Sequence, residues 1–339
     1  MIDLIAELVE GVNRADDQSA AREAYRHGFE RLCPQLQMYP APSGRPSIVF
    51  KSAATTARLL GANCLPLGIA VAMHLYPLCA LQCVPLPLMS VARFQRAILL
   101  RTIRNRSLIL ANAGSERTRQ ADHSVVARHN ADGVRLDGTF EYMSLATVAD
   151  LVLFKAPLAD SSDTVLCAAD LRADSVRIGP WRFTGTMRLS DTSAVTFVGH
   201  RVPRGRYVIV SNDDALHCTS DYQRCWFHLF LAEVYLARLH RLHEVWGLRR
   251  TAEQVVSLNE VSQLREYALR LLDEFSLGSD VEPLKKATST MKLRVSLMAQ
   301  ATMAALSGSS LSGSDASELG YIKAQPTADE VILRSIGAA

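Results

Sequence analysis

The first 106 residues carry apolar side chains at the spacing of an α-helix. Two stripes show this spacing most clearly: Leu4, Ile5, Leu8 and Val9, followed by Ala21, Ala24, Tyr25 and Phe29. Residues three and four apart share one face of a helix, so each stripe marks a face that packs against a core. The pattern predicts an N-terminal helical domain over residues 1–106.

Between residues 107 and 212 the pattern changes to short strands separated by turn residues. Five segments have the length and composition of strands: 124–129, 133–138, 150–155, 164–168 and 194–198. The segments Asn130-Ala-Asp-Gly133 and Asp137-Gly138 have the composition of hairpin turns. We therefore predict a central antiparallel β domain over residues 107–212.

The helical period returns near residue 216. Three amphipathic segments cover residues 216–246, 252–277 and 281–306. Gly247 and Gly278 are stop signals between them, and Pro283 lies near a helix start. The pattern predicts a C-terminal helical bundle and tail over residues 213–339, with a short helix at 328–336. The whole chain is thus predicted to be α+β and mostly α.

Composition and charge exclude several classes of protein. Of the 339 residues, 48% are hydrophobic and 21% are charged, which is typical of a globular protein. The net charge of +3 is too small to indicate a nucleic acid or a membrane surface as a partner. The 7 cysteines include no C-x-x-C pair, and the first residues lack the basic segment of a signal peptide. We expect free thiols and a cytoplasmic location.

One stretch is long enough to cross a membrane. Residues 59–92 contain no Asp, Glu, Lys or Arg, and about 20 apolar residues span a bilayer. Four prolines interrupt the stretch, and its polar residues would need hydrogen-bond partners in lipid. Those polar residues are Asn63, His74 and Gln82. We therefore predict a buried core helix and no membrane span.

The helical bundle raises the question of a metal site. His240 and His243 share a segment with Glu233 and Glu244, and such side chains bind metals when they converge. The chain has no Glu-x-x-His motif, which marks the di-iron helical bundles. We predict that these residues form a solvated polar face and that the protein holds no metal.

The strand block carries four motifs in a fixed order: Gly133-Val-Arg-Leu-Asp-Gly138, Tyr142-Met-Ser144-Leu-Ala-Thr-Val-Ala-Asp150, Phe183-Thr-Gly-Thr-Met-Arg188 and Ser193-Ala-Val-Thr-Phe-Val-Gly-His-Arg-Val-Pro203. Residues 108–116 precede them, and residues 325–337 follow the bundle. In order and spacing, these segments resemble the acyl-CoA dehydrogenase superfamily, and they are similar also to its flavin-dependent monooxygenase branch. The resemblance covers nearly the whole chain. It implies a helical domain, a β domain and a helical bundle around FAD or FMN.

The resemblance also implies which residues contact the flavin. Asn112, Ser115 and Glu116 are expected to offer hydrogen-bonding groups to the isoalloxazine ring, and Ser144 takes the position of a hydroxyl near flavin N5. Arg188 belongs to a set of arginines in the β domain whose guanidinium groups match phosphate oxygens. The sequence alone offers plainer explanations, namely polar loop residues, a turn serine and a surface arginine.

The resemblance bears on catalysis as well. Similar monooxygenases place a His and a Tyr in the region of His74 and Tyr76, over the C4a edge of the flavin, where a proton donor assists the reaction. Without the resemblance, a histidine on an apolar helix face is a core residue. Gln325 and Gln223 stand at the two positions from which thioester dehydrogenases supply a catalytic glutamate. An amide cannot act as a general base near neutral pH.

These substitutions favour a flavin-dependent monooxygenase that receives reduced flavin from a separate reductase. Its expected substrate is a small or carrier-bound compound of specialised metabolism. Two alternatives stay open. One is a dehydrogenase of acyl thioesters on CoA or acyl carrier protein, or a subunit that lacks the base and pairs with a paralogue. The other is a non-redox homologue that binds an acyl group or a partner.

The C-terminal segments carry more apolar residues than one bundle needs. Examples are Trp226, Phe227, Leu229, Phe230 and Leu231. The enzymes that the chain resembles bury such faces between subunits. We therefore predict a homodimer or homotetramer, with an interface formed by residues 216–306.

Overall fold

The computed structural model describes residues 1–40, 42, 44–87, 89–113, 125–130, 133–211, 218–306 and 313–324. Five helices come first: α1 (Ile2–Arg14), α2 (Gln18–Leu32), α3 (Pro46–Asn63), α4 (Leu65–Cys83) and α5 (Val91–Asn105). The two apolar stripes face the core, where Leu8 of α1 and Phe29 of α2 are buried. The predicted helical character of this region is confirmed.

Helix α4 is the only helix of the described residues that is long and apolar enough to cross a membrane. It packs inside the protein against α3 and against α6 (Thr219–Val245). Within the molecule, 89% of its most apolar window is buried. The backbones of α3 and α4 approach closely, since a Cβ on Gly68 would lie 2.6 Å from the Cα of Gly61. The uncharged stretch therefore forms a core helix, as predicted.

The strands form one sheet: β1 (Leu110–Ala113), β2 (Val125–Asn130), β3 (Gly133–Ser144), β4 (Leu151–Pro157), β5 (Thr164–Asp170), β6 (Val176–Trp181), β7 (Ser193–Val202) and β8 (Tyr207–Val210). Their order is β6-β7-β3-β1-β4-β5-β8, with β2 also paired to β3. The sheet is mixed, so the prediction of an antiparallel β domain is wrong at one place. Strand β1 is inserted between β3 and β4, which run in opposite directions, so it is antiparallel to β3 and parallel to β4.

The ends of the first predicted turn, Asn130 and Gly133, pair with each other between β2 and β3, and the two residues between them lie outside the described residues. The second predicted turn is wrong. Asp137 and Gly138 lie inside β3, where the pairing with β7 shifts register. Gly138 has a φ of 123°, and the Asp137 carboxylate accepts a hydrogen bond from the Gly199 N–H at 2.7 Å. The dipeptide therefore forms a bulge within the sheet, because its backbone groups find partners there.

Four helices follow the sheet within the described residues: α6, α7 (Ala252–Glu274), α8 (Glu282–Leu306) and α9 (Gly313–Ala324). The first three correspond to the predicted segments, and Gly247 and Gly278 adopt positive φ between them, as glycines that end helices do. The sequence pattern did not predict α9. The helix predicted at 328–336 lies outside the described residues. The division into three domains stays a prediction.

One expectation about the bundle surface is wrong, and a second holds only in part. Trp226 and Phe230 are fully buried within the chain and pack against α3, so they contribute to its own core. The predicted solvated polar face holds at Glu244, which is exposed, but not at Glu233, which is 3% exposed and accepts hydrogen bonds from Arg58 at 2.5 Å and Arg265 at 3.4 Å. Within the described residues, no three His, Cys, Asp or Glu side chains form a group that suits a metal ion.

Candidate functional site

A cleft separates one face of the sheet from helices α4, α5 and α6. It is open to solvent, and its space is about 950 Å³ when the open mouth is counted. Strands β4, β5 and β8 form its floor, to which Leu153 and Ala168 contribute. The first turns of α6 contribute Ser220 and Gln223 to its lining.

Asn112 and Ser144 continue the row of residues that forms this floor. Asn112 pairs with Ser144 on one side and with Leu153 on the other, and Leu153 pairs with Ala168. Directly opposed residues of neighbouring strands place their side chains on the same face of a sheet. Both polar side chains therefore lie on the cleft side, and both are partly exposed. The structure brings these two sequence-predicted residues together.

The Ser144 hydroxyl ends a chain of three hydroxyl groups. The Ser190 hydroxyl donates to the Met187 carbonyl at 2.9 Å. The Thr192 hydroxyl lies 2.9 Å from that of Ser190 and 3.0 Å from that of Ser144. Each hydroxyl has one proton, so all three contacts are hydrogen bonds only if Thr192 donates to Ser190 and Ser144 donates to Thr192. The Ser144 oxygen is then an acceptor on the face that it shares with Asn112.

A buried carboxyl group fixes the turn that follows Ser144. Asp191 accepts hydrogen bonds from the Thr147 N–H at 2.8 Å, the Thr147 hydroxyl at 2.5 Å and the Trp181 indole at 2.7 Å. Burial raises the pKa of Asp191, although these donors oppose the shift. Leu145 and Asp191 have φ values of 60° and 48°, which cost about 1 kcal/mol or more at residues other than glycine. The contacts of Asp191 hold the chain in this conformation beside Ser144.

His74 is a fully buried histidine with both ring nitrogens hydrogen-bonded. Its Nδ1 accepts from the Leu110 N–H at 2.9 Å, so Nε2 carries the proton and donates to the Met38 carbonyl at 3.0 Å. Burial lowers the pKa of His74 to about 4, so the ring is neutral near pH 7. Because neither nitrogen is left for a substrate or cofactor, this geometry favours a structural role over the catalytic role that the resemblance implies.

Tyr76 and Gln223 meet where α4 packs against α6. Their side chains share a hydrogen bond, and burial raises the pKa of Tyr76 above its usual value. The ring of Tyr76 is 4% exposed and packs edge-on against Phe227. Gln223 lines the cleft. Tyr76 is therefore a protonated phenol in contact with a cleft residue, and its catalytic role stays a prediction.

Arg188 is bound to the N-terminal helices. Its Nη2 donates to the Val12 carbonyl at 2.9 Å and to Asn13 Oδ1 at 2.8 Å. These contacts fix the 3-10 turn Gly185–Ser190 against α1, and a contact with a flavin phosphate stays a prediction. The remaining predicted site residues lie outside the described residues: Ser115, Glu116 and Gln325.

The sequence interpretation missed Ser190, Asp191 and Thr192. They precede β7 directly, and all three are at least 96% buried, which polar residues tolerate only with hydrogen-bond partners. The available signal was a polar run between Leu189 and a predicted strand. Such a run ordinarily marks a loop, so the pattern by itself did not single it out.

Comparison with known proteins identifies the fold. No protein family and no curated protein matches the sequence. Among solved structures, PigA with FAD and proline is 15% identical, covers 99% of this chain and 97% of its own, and has a TM-score of 0.68. KijD3 in complex with FMN and dTDP-3-amino-2,3,6-trideoxy-4-keto-3-methyl-D-glucose is 16% identical, with coverages of 100% and 93% and a TM-score of 0.68.

A third match is dibenzothiophene monooxygenase TdsC from Paenibacillus sp. A11-2. It is 16% identical, covers 95% of this chain and 89% of its own, and has a TM-score of 0.64. At these identities the likeness establishes the fold, which is acyl-CoA dehydrogenase-like. The architecture implied by the sequence motifs is thereby confirmed at the level of the fold.

Proposed function

We propose that this protein is a flavin-dependent oxidoreductase that uses reduced flavin, in the manner of a monooxygenase, on a small substrate in the cleft. One observation carries the proposal. The residues Ser144, Asn112, Leu153 and Ala168 form one row across the sheet, and this row joins a polar strand end to the floor of the cleft. A flavin held at the polar end would have the substrate cleft as its direct neighbour.

The structural neighbours support the cofactor class. PigA binds FAD, KijD3 and TdsC bind FMN, and TdsC is named a monooxygenase. When bound, a flavin supplies two-electron transfer and, in its reduced state, reaction with oxygen. Asn112 and Ser144 fit the flavin ring because their amide and hydroxyl groups face the cleft side together. On that basis we propose FAD or FMN as the cofactor of this protein.

The direction of the hydrogen bonds along the three hydroxyl groups supports a preference for reduced flavin. Reduced flavin carries a proton on N5, whereas oxidised flavin presents N5 as an acceptor. Ser144 donates its own proton to Thr192 when all contacts of the chain are satisfied, so its oxygen suits an N–H donor. A protein that binds the reduced form in this way would receive it from a separate reductase.

Thioester dehydrogenation has less support. Gln223 lines the cleft at one of the positions where the resemblance predicts a glutamate, and an amide is not a general base near neutral pH. Among the described residues, no Asp or Glu lines the cleft. A dehydrogenase would therefore need a carboxylate from a paralogous subunit or from a segment outside the described residues.

The test compares two redox states of the same cofactor. Flavin-free protein is titrated without oxygen against FMN and FAD, each oxidised or reduced with dithionite, and free flavin is measured after ultrafiltration. We expect the reduced form to bind about 10-fold more tightly, because one hydrogen bond contributes about 1.4 kcal/mol. Ser144→Ala should remove this preference, and Ser161→Ala, at an exposed serine between β4 and β5, should keep it.

Flavin binding and the role of the Ser144 oxygen are tested separately. If no flavin binds in either redox state, the protein is not a flavoenzyme. If both redox states bind with equal affinity, a flavoenzyme remains but the assigned role of the Ser144 oxygen is wrong.

A further inference from the structure

The cleft is lined by cations and by no described carboxylate. Arg96 of α5 lies on its helix side, and Lys155 of β4 and Arg206 before β8 lie on its sheet side. Asp and Glu are absent among the described residues that line it. Side chains of one sign around a cleft with apolar walls produce a strong local potential. This cleft therefore favours an anion.

Arg96 is a partly buried cation of the cleft without a carboxylate partner among the described residues. Its Nη1 donates to the Val84 carbonyl, which holds the guanidinium group at the cleft wall. Burial and the nearby Arg93 lower the pKa of Arg96. Within the described part of the chain, Arg96 forms no salt bridge with a carboxylate. A partly buried cation without a counter-ion is unfavourable, so an anionic ligand beside it would relieve that cost.

Two cleft residues carry buried polar atoms that make no hydrogen bond of normal geometry to the described residues. Tyr222 is 1% exposed, and its hydroxyl lies near the Trp226 indole N–H but forms no hydrogen bond of normal geometry with it. Gln95 Oε1 is also buried without one. Tyr222 lies close enough to Arg96 for the two groups to interact electrostatically. Buried polar groups ordinarily have partners, so these atoms point to a polar group on a bound molecule.

The rest of the cleft is mainly apolar. Its aliphatic lining includes Pro77, Leu81, Leu86, Leu99, Leu153 and Leu166. A ligand that satisfies the lining therefore combines a hydrocarbon or aromatic body with a charged group near Arg96. Guanidinium groups match both carboxylate and phosphate oxygens.

We propose that the cleft binds an organic oxyanion, with an apolar body along the aliphatic lining and a carboxylate or phosphate group at Arg96 and Tyr222. This assignment names the substrate class of the function proposed above and rests on it. The guanidinium group of Arg96 and the hydroxyl of Tyr222 donate to the anion. Lys155 and Arg206 raise the local concentration of anions at the opposite wall.

The test uses three molecules with one phenylbutyl body: the carboxylate, the phosphate monoester and the neutral carboxamide. Binding to the full chain is measured by isothermal titration calorimetry. We expect at least one anion to bind about 10-fold or more tightly than the carboxamide, since hydrogen bonds to charged groups contribute about 1.5–3 kcal/mol. The tighter of the two anions identifies the charged group.

Substitutions of cleft residues test where the anionic group binds. Arg96→Gln should abolish the preference for the anion, and Tyr222→Phe, which keeps the ring, should weaken it. Arg101→Gln is the matched control, because Arg101 lies on the same helix with an exposed side chain. Circular dichroism verifies the fold of each variant. If Arg96→Gln does not fold, Tyr222→Phe provides the comparison at the same end of the cleft.

Three outcomes overturn the proposal: equal affinity of anion and carboxamide, absence of binding by all three molecules, or an unchanged preference in Arg96→Gln. Titrations are run on flavin-free and on flavin-loaded protein. Failure of flavin binding with the anion preference intact refutes the proposed function alone, because Arg96 lies on a helix and not on the strand end that holds Asn112 and Ser144. Flavin binding without the anion preference refutes only the substrate class.

Discussion

Asn112 lies directly opposite Ser144 in the antiparallel pair of β1 and β3. The two residues come from separate segments of the chain, and the register of the sheet places them on one face. A slip of one residue would turn every side chain of a strand to the opposite face. This register therefore decides whether a polar pair or the buried Ala111 and Met143 face the cleft.

The first prediction concerns turnover in Ser144→Ala. With a reductase supplying reduced flavin, we expect product formation to fall about 100-fold, as for other lost hydrogen bonds that act in the transition state. Release of hydrogen peroxide should rise, because reduced flavin that lacks its N5 contact loses electrons to oxygen without oxidising substrate. Both products are measured in one assay.

Thr192→Val provides the matched control for this prediction. It removes the hydroxyl that accepts from Ser144 and leaves the Ser144 hydroxyl in place. We expect product formation and peroxide release to lie between those of the wild type and of Ser144→Ala, because the Ser144 hydroxyl is then free to rotate. Wild-type behaviour of Ser144→Ala in both assays would contradict the placement of this residue beside the flavin.

The second prediction concerns His74 as a structural residue. His74→Gln should lower the free energy of unfolding by about 2–4 kcal/mol at pH 7, because the Leu110 N–H and the Met38 carbonyl lose well-placed partners in the core. Urea unfolding measures this change. Unchanged stability together with lost turnover would instead support a catalytic role.

The pH dependence of stability follows from the same residue. Burial lowers the pKa of folded His74 to about 4, below the usual value of about 6.5 in an unfolded chain. Between these values the unfolded state binds a proton that the folded state does not. The stability that neutral His74 contributes to the folded state is therefore fully present above pH 6.5 and is lost as the pH falls towards 4. The slope is at most about 1.4 kcal/mol per pH unit. His74→Gln should reduce the acid sensitivity, and His27→Gln, at an exposed position, should not.

The third prediction concerns thioesters. We expect no oxidation of short acyl-CoAs by the wild-type protein with an artificial electron acceptor, because Gln223 offers no base to the cleft. Gln325→Glu should introduce slow turnover if this position meets the same cleft. The assay follows reduction of the acceptor dye. Efficient oxidation by the wild-type protein would show that another carboxylate acts as the base.

The fourth prediction concerns assembly. The apolar residues that suggested an interface lie in the core of the chain. Other apolar side chains of the same bundle are exposed: Val256 of α7 is 56% exposed and Leu297 of α8 is 40% exposed. We expect a dimer or tetramer by light scattering at micromolar concentration, through the helices of residues 216–306. A monomer of 37.2 kDa would contradict it.

Two charge substitutions test the location of this interface. Val256→Glu places a carboxylate on the bundle surface and should shift the protein towards monomer. Val198→Glu is the control, because Val198 is 49% exposed on β7, outside the bundle. Equal effects of the two substitutions would indicate that the bundle is not the interface.

The sequence by itself determined the helical character of the chain before β1 and from α6 to α8, and it determined five of the eight described strands. Hydrophobic periodicity is local, and the stripe of Leu4 to Val9 or the stop at Gly247 depends on a few neighbouring residues. The same logic failed at Asp137-Gly138, whose turn composition forms a bulge because β7 pairs across it. It also failed for Glu233, whose burial depends on Arg58 and Arg265 from other helices.

Only the tertiary structure decided which polar groups are buried and which hydrogen bonds they form. His74 has the same neighbours in sequence whether it is catalytic or structural, and only Met38 and Leu110 show that both nitrogens are used. The acceptor state of Ser144 depends on Thr192, a residue of another segment. The resemblance placed Asn112 and Ser144 near one cofactor, but their alignment with the cleft required the register of four strands. Hydrogen bonding and burial depend on partners distant in the chain, and a linear pattern does not contain them.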